Sequence, residues 1–459
     1  MNLDLLSQNL ILIICSLVTA VAVYLISRLF AKDRRKAKPK KRSKKQKVKA
    51  QQILIICTAT IAVSILAAFI LKLLFGYWTD SPLPDSFIFM VLPFTLSLTL
   101  LALAIRFKPK LWIIASGCVF CSLIFSLLIV NNYYRFYPTL GELFNKNANV
   151  EEIGRNQRGI YINFSHSSSS NHPQTNTLET ELSSVGGQTT AGKVYSLNIP
   201  GTVSKFKPRG AYVYVPAVYS TVTDINLPVI VLTTGYPGLP ENWLGSGLEN
   251  TMDQFAHTHE GITPLVFMVD NSGSLTNDTE CVNSSQGNVE TYLTTDVPNF
   301  IKAHFRVINN PANWAIGGLS MGGMCSVMLT LRHPDVFHYF MDYGGEIGPE
   351  IGSKQKTVDD LFSGSESAWA AHQPDLLLTT KNYKNLGLGG FFGDGNEDSL
   401  SVTQAQSDLV TDSQNAGIET ISETINGPHT FNVWQQLFKD SLPWVSNRIG
   451  ATQCGSVCI

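Results

Sequence analysis

Outside its first 130 residues the sequence is short of basic side chains. Residues 131–459 hold 17 Lys and Arg against 31 Asp and Glu. A region this acidic has no bulk attraction for polyanions, which excludes nucleic acid as a partner. The first 130 residues are short of the opposite sign, with 4 Asp and Glu against 17 Lys and Arg. The overall balance of −1 therefore hides two regions of opposite charge. No removable leader is expected either. No basic residue precedes the first apolar run, and no small-residue cleavage site follows it. No internal repeat is visible. Zinc spacing is absent too: beyond residue 130 there is no C-x-x-C and no His/Cys cluster, so neither a structural metal nor a cofactor is expected.

What the first 130 residues do have is long apolar runs, at 9–30, 53–75, 87–105 and 111–130. Each is about 20 residues, enough to cross a bilayer core as a helix. Between the first two lies a basic loop, 31–52, whose segment Lys32–Lys49 carries 12 Lys and Arg and one Asp. Arg106, Lys108 and Lys110 separate the third and fourth runs, whereas 76–86 has no basic residue. The positive-inside rule then puts both basic loops in the cytoplasm and everything after residue 130 outside. Tyr133, Tyr134, Phe136 and Tyr137 follow the fourth run and fit an aromatic belt. Membrane lipids are the partners this region implies.

The expected organisation is a four-helix transmembrane region at 1–130, a stalk and lead-in at 131–192, a catalytic domain at 193–449 and a Cys-containing tail at 450–459. In the catalytic domain, 194–199 and 211–215 alternate like antiparallel edge strands. Continuous apolar runs at 228–232, 264–269, 314–317 and 388–392 suit strands buried on both faces. Helical stretches at 248–257, 289–304, 324–332 and 401–416 separate or follow them. Strands alternating with helices predict an α/β fold with a doubly wound, mostly parallel sheet.

The strand at 314–317 runs into Gly318-Leu-Ser320-Met-Gly322, a G-x-S-x-G pentapeptide. In such an elbow the serine backbone is strained and its Oγ stands clear at the top of the sheet. A serine hydroxyl needs a base, and the base an orienting acid, in chain order Ser, acid, His. Of the later histidines, His333 and His338 lie too close behind the elbow. His372 sits in a polar stretch, and His429 in a late turn that opens an apolar helix, where the base is expected. Three carboxylates compete as the acid after the 388–392 strand: Asp394, Glu397 and Asp398, the last with Gly395 three before it to make the turn. An oxyanion needs backbone donors. Met321 N–H is one. The other comes from the loop Thr234-Gly235-Tyr236-Pro237, where Pro237 has no N–H and Tyr236 is the donor. Asp270 ends the 264–269 strand as a turn cap or a substrate contact.

Four cysteines lie beyond residue 130, an even number in a disulfide-permissive compartment. Cys281 is in the loop after the Asp270 strand, and Cys325 is five residues past Ser320. In a doubly wound sheet that loop borders that helix, which brings the pair within disulfide range. The alternative for Cys325 is a buried free thiol. Cys454 and Cys458 are left to pair with each other.

With these residues placed, 194–449 resembles the esterase D superfamily of α/β-hydrolases, which includes the mycolyltransferases of actinobacterial envelopes. The likeness rests on GLSMGG around Ser320, on Glu290-Thr-Tyr-Leu-Thr-Thr-Asp-Val-Pro, on His-Pro-Asp-Val-Phe after the elbow helix, and on His429 with Trp434 five residues later. It implies Ser320, Asp398 and His429 as the triad, and Tyr236 and Met321 as oxyanion donors. Trp434 joins Asp270 as a candidate substrate contact. The four-span layout resembles actinobacterial membrane esterases. Three functions follow as expectations: a hydrolase of an envelope or lipid-linked acyl ester, an acyltransferase to a sugar or glycolipid, or a non-catalytic membrane sensor with a hydrolase fold.

Overall fold

The computed structural model describes residues 5, 7–30, 44–79, 88–134, 137, 140, 151–152 and 191–452, except 222–224, 260 and 276. Cys454, Cys458, most of the basic loop, most of the stalk and the ring of Phe136 lie outside the described residues. The chain divides into two compact units, Met1–Lys146 and Asn147–Ile459.

In the first unit the apolar runs form four helices: α1 (Gln8–Phe30), α2 (Lys44–Thr79), α3 (Ile88–Phe107) and α4 (Trp112–Tyr134). Each holds a stretch long and apolar enough to cross a membrane. Several of their hydroxyls pair across helices. Ser64 Oγ lies 2.7 Å from Thr95 Oγ1, Thr60 Oγ1 3.1 Å from Thr99 Oγ1, and Ser97 Oγ 2.7 Å from Ser122 Oγ. Outward faces carry bare Leu, Ile, Val and Phe, such as Ile13, Val63 and Phe120. Apolar side chains thus fill both the interior, with Leu25, Leu29 and Leu100, and the outer faces.

The second unit holds a nine-stranded sheet in the order β1-β2-β3-β5-β4-β8-β9-β10-β11. The strands are β1 (Glu151–Glu152), β2 (Lys193–Leu197), β3 (Ala211–Val215), β4 (Val229–Thr233), β5 (Leu265–Val269), β8 (Trp314–Leu319), β9 (Tyr339–Tyr343), β10 (Gly389–Gly395) and β11 (Glu419–Ile425); β6 (Asn283–Ser284) and β7 (Gly287–Asn288) make a separate hairpin. β3 pairs antiparallel with both β2 and β5, and every other pairing in the large sheet is parallel. The sheet is thus mostly parallel with helices on both faces, as the alternating pattern requires. Successive residues of the central strands feed opposite cores. Val229 and Val231 of β4 join Phe267 and Ile316 on one face, while Ile230 and Leu232 join Met268 and Trp434 on the other.

Within the stalk and lead-in, β1 pairs with Tyr195 and Ser196 of β2. Three expectations are corrected. Helix 289–304 is not continuous: a π turn, Tyr292–Asp296, interrupts it ahead of α6 (Val297–His304). The elbow helix, α7, starts at Met321 and runs to Arg332, three residues earlier than the apolar pattern gave. β10 runs on to Gly395, so Asp394 is a strand residue and not part of the turn. Three further helices matter below: α5 (Leu248–Thr258), α8 (Leu400–Asn415) and α9 (Phe431–Arg448).

Candidate active site

The site lies at the carboxyl edge of the sheet, where β4, β8, β9, β10 and β11 all end. β8 stops at Leu319, and Ser320 turns the chain with φ 54° and ψ −127°. That left-handed backbone is strained for a residue with a side chain. It is held by Ser320 N donating to Tyr343 O at 2.9 Å, and by Gly323 N and Met324 N donating to Ser320 O. The flanking glycines are required by space. A Cβ at Gly318 would sit 2.4 Å from the Gly322 backbone, and one at Gly322 2.8 Å from Thr234 O. Strand and helix therefore pass closer than any other residue allows.

His429 stands in the loop between β11 and α9. Its Nε2 lies 2.9 Å from Ser320 Oγ. Its Nδ1 lies 2.8 Å from Asp398 Oδ1, and the Asp398 carboxylate is almost fully buried. The contact is close but not aligned as a hydrogen bond: both atoms are buried without a hydrogen-bond partner. With Nδ1–H facing the carboxylate, Nε2 is left as the acceptor for the serine hydroxyl.

Parallel register brings the acid turn and the histidine loop together. β10 and β11 pair residue for residue from Gly389–Glu419 to Gly395–Ile425, so their following loops start level. Asn396 then stitches them: its N–H donates to Ile425 O, its Nδ2 to Asn426 Oδ1, and its Oδ1 accepts from Gly427 N. Glu397 N donates to Gly427 O, while the Glu397 residue is exposed. Asp394 is buried, hydrogen-bonded to Thr424, and burial pushes its carboxyl up. Of the three competing carboxylates, it is Asp398 that meets the imidazole. Trp434, on α9, meets the His429 ring edge-on, with centroids 4.7 Å apart, and is buried. Gly344 lies under both rings: a Cβ there would be 3.3 Å from His429 Cε1 and from Trp434 Nε1. Trp434 is thus a wall for the imidazole.

On the other side, the loop after β4 presses against the nucleophile. A Cβ at Gly235 would be 2.9 Å from Ser320 Cβ. Met321 is the first residue of its helix, so its N–H has no intrahelical acceptor. Asp270 is fully buried and its oxygens are committed. They accept from Arg209 N, Nε and Nη2 and from Ser272 N and Gly273 N. This is the turn-capping role; the carboxylate is not presented to the cleft. Cys281 and Cys325 form a disulfide with Cα atoms 5.8 Å apart, joining the loop after β5 to the elbow helix.

The other histidines serve elsewhere. His333 Nε2 and His372 Nε2 both reach the Glu290 carboxylate, at 2.7 and 3.1 Å, alongside Arg332 Nε at 2.8 Å. Burial works to raise the Glu290 pKa, but these three partners outweigh it and hold the carboxyl well below the usual range. Sequence reasoning missed Arg209, Asn271, Asn396, Asp342 and Gln406. Asp342, fully buried on β9, accepts from Gln406 Nε2 and Gly345 N, and burial raises its carboxyl to about 7. Its position inside an interrupted apolar run was the one available signal.

A parallel-centred sheet whose middle strand ends on a strained serine, faced by a histidine and a buried aspartate, defines an α/β-hydrolase. The chain belongs to the esterase family: its model, described as "Putative esterase", matches residues 206–445. By class it is a serine hydrolase or acyltransferase. It is 35% identical over 338 residues to an uncharacterized protein of Corynebacterium glutamicum, covering 72% of this chain and 74% of that one. It is 23% identical over 190 residues to the diacylglycerol acyltransferase/mycolyltransferase Ag85A of Mycobacterium leprae, covering 36% of this chain and 57% of the relative. Among solved structures, a ferulic acid esterase aligns with a TM-score of 0.50 at 19% identity, covering 57% of this chain and 99% of that one; this likeness is one of fold.

Proposed function

We propose that the protein is a membrane-anchored, extracytoplasmic serine hydrolase that cleaves an acyl ester of an envelope or lipid-linked substrate. The observation that carries this reading is the relay Ser320 Oγ–His429 Nε2–Nδ1–Asp398 Oδ1, with steps of 2.9 and 2.8 Å. Ser320 Oγ attacks the acyl carbonyl carbon and passes its proton to His429 Nε2. The carbonyl π pair moves onto oxygen, which accepts from the N–H groups of Tyr236 and Met321. Collapse of this intermediate expels the alcohol, which takes the proton from His429, and leaves an ester on Ser320. Water repeats the sequence in reverse, losing its proton to His429 and releasing the acid. Asp398 holds the imidazole in the productive tautomer and faces the positive charge it gains.

The membrane part of the reading is supported by four helices of spanning length and by the concentration of basic residues in two of their connections. It predicts that protease added to intact spheroplasts removes the domain after residue 191 and spares the basic loop; protection of the domain overturns the orientation.

A second reading, transfer of the acyl chain to a sugar or glycolipid hydroxyl, is favoured by the similarity to a mycolyltransferase. The two readings share the acyl-enzyme and differ in what reaches it. Product analysis of a model acyl ester with and without a disaccharide acceptor separates them. Free acid in both conditions supports the hydrolase. Acylated sugar that replaces the acid supports the transferase. No Ser320-dependent turnover of either kind contradicts both.

A further inference from the structure

The oxyanion loop has few bonds of its own, yet its backbone must be placed to a few tenths of an ångström for an N–H to serve a developing negative charge. Two consecutive residues at the end of β5 hold it at both ends. Asn271 is fully buried, and its amide spans the Thr234 residue. Its Oδ1 accepts from Thr234 N at 3.2 Å and from Thr234 Oγ1 at 3.1 Å, and its Nδ2 donates to Thr234 O at 2.8 Å. The same Nδ2 lies 3.7 Å from Cys281 Sγ, one half of the bridge to the elbow helix. At the far end of the loop, Arg209 Nη2 donates to Gly238 O at 2.8 Å, and Arg209 is itself gripped by Asp270.

We infer that the Asp270–Asn271 pair is the positioning device of the oxyanion loop, with Asn271 fixing Thr234 directly and Asp270 fixing Gly238 through Arg209. The inference rests on the reading of Ser320 as nucleophile and of Tyr236 N–H as oxyanion donor. Neither Asp270 nor Asn271 touches the reacting atoms. A misplaced Tyr236 N–H weakens the transition state and leaves ground-state binding of the ester largely intact.

The test uses the full-length chain in detergent, p-nitrophenyl butyrate as probe ester and a trifluoromethyl ketone as mimic of the tetrahedral intermediate. Asn271→Asp keeps the shape, removes the two Nδ2–H bonds and sets a carboxylate oxygen against Thr234 O. Its kcat is expected to fall about 100-fold, with KM within about 3-fold and ketone affinity down by about the factor lost in kcat/KM. Arg209→Lys keeps the charge beside Asp270, but an ammonium has no fork to reach Gly238 O as well; about a 10-fold loss with the same pattern is expected. If Asn271→Asp does not fold, Thr234→Val removes only the Oγ1 bond and should show the same split at smaller size. A folded variant with wild-type kcat overturns the inference. So does a kcat loss with ketone affinity unchanged, which is a structural effect alone. Ser320→Ala run in parallel separates the two levels: if it still turns over the ester, the reading of the nucleophile has failed, not the clamp.

Discussion

The two sides of Ser320 are built differently. On the acid and base side, two adjacent parallel strands end level, and their following turns deliver Asp398 and His429 as chemical groups. On the side proposed for the oxyanion, segments around residues 209, 234, 271, 281 and 325 converge on the loop after β4 and on the elbow helix, and what they supply is placement of backbone. The first side depends on which side chains are present. The second depends on how firmly the chain is held. Substitutions on the first should therefore abolish turnover while leaving the fold alone, and those on the second should trade smaller rate losses against stability.

The largest effect is expected at the nucleophile. Ser320→Ala should remove on the order of 10⁶ in kcat with an unchanged thermal midpoint, and His429→Ala nearly as much. Retention of more than a few per cent of wild-type turnover in either contradicts the assignment. Asp398→Asn should cost roughly 10⁴, because it spoils tautomer and orientation but leaves nucleophile and oxyanion donors in place. Asp394→Asn and Glu397→Gln are its controls; a larger kcat loss in either moves the acid role away from Asp398.

On the oxyanion side, Cys325→Ala removes the tie between elbow helix and loop. The bridge closes a span of 44 residues, so its loss should cost about 2–4 kcal/mol in unfolding free energy. Denaturant unfolding measures it, and an unchanged midpoint shows that the bridge constrains little. A change of comparable size falls behind both sides, at Glu290, which gathers Arg332, His333 and His372. Glu290→Gln should cost about 3 kcal/mol at pH 7. The folded-state pKa of Glu290 is depressed, so the stability it adds is present above the ordinary glutamate value of 4.5 and is lost as pH falls below it. The gap in midpoint between wild type and Glu290→Gln should therefore close from about pH 5 downward. A gap that persists at low pH means the ionised carboxylate is not its source.

The same contrast explains what the sequence made legible. Ser320 and His429 stand in a fixed chain order beside turn residues and were picked out in one pass, with Asp398 as one of three candidate acids; in the structure these three side chains lie in contact. The central strands β4, β5 and β8 are unbroken apolar runs and were equally plain. β9 was not, because Asp342 interrupts Tyr-Phe-Met-Asp-Tyr with a buried carboxyl held by Gln406, 64 residues away. β11 was missed because an edge strand with polar residues along it, Glu-Thr-Ile-Ser-Glu-Thr-Ile, carries little burial signal. The π turn at Tyr292–Asp296 leaves the apolar spacing of a helix nearly intact. Asn271, Arg209 and Asn396 act through side chain–backbone bonds to segments 29 to 37 residues distant, and no local pattern marks such a bond. Four helices were readable from run length alone, because an apolar stretch of about 20 residues has few other uses.

The central claim is that Ser320 is the nucleophile, activated by His429. Its most direct test is peptide mapping of the full-length protein after reaction with a fluorophosphonate. A single phosphonyl adduct is expected on the peptide that contains Gly318-Leu-Ser320-Met-Gly322, lost in Ser320→Ala and strongly slowed in His429→Ala. An adduct on another residue, or none on folded protein that still cleaves an ester, would contradict it.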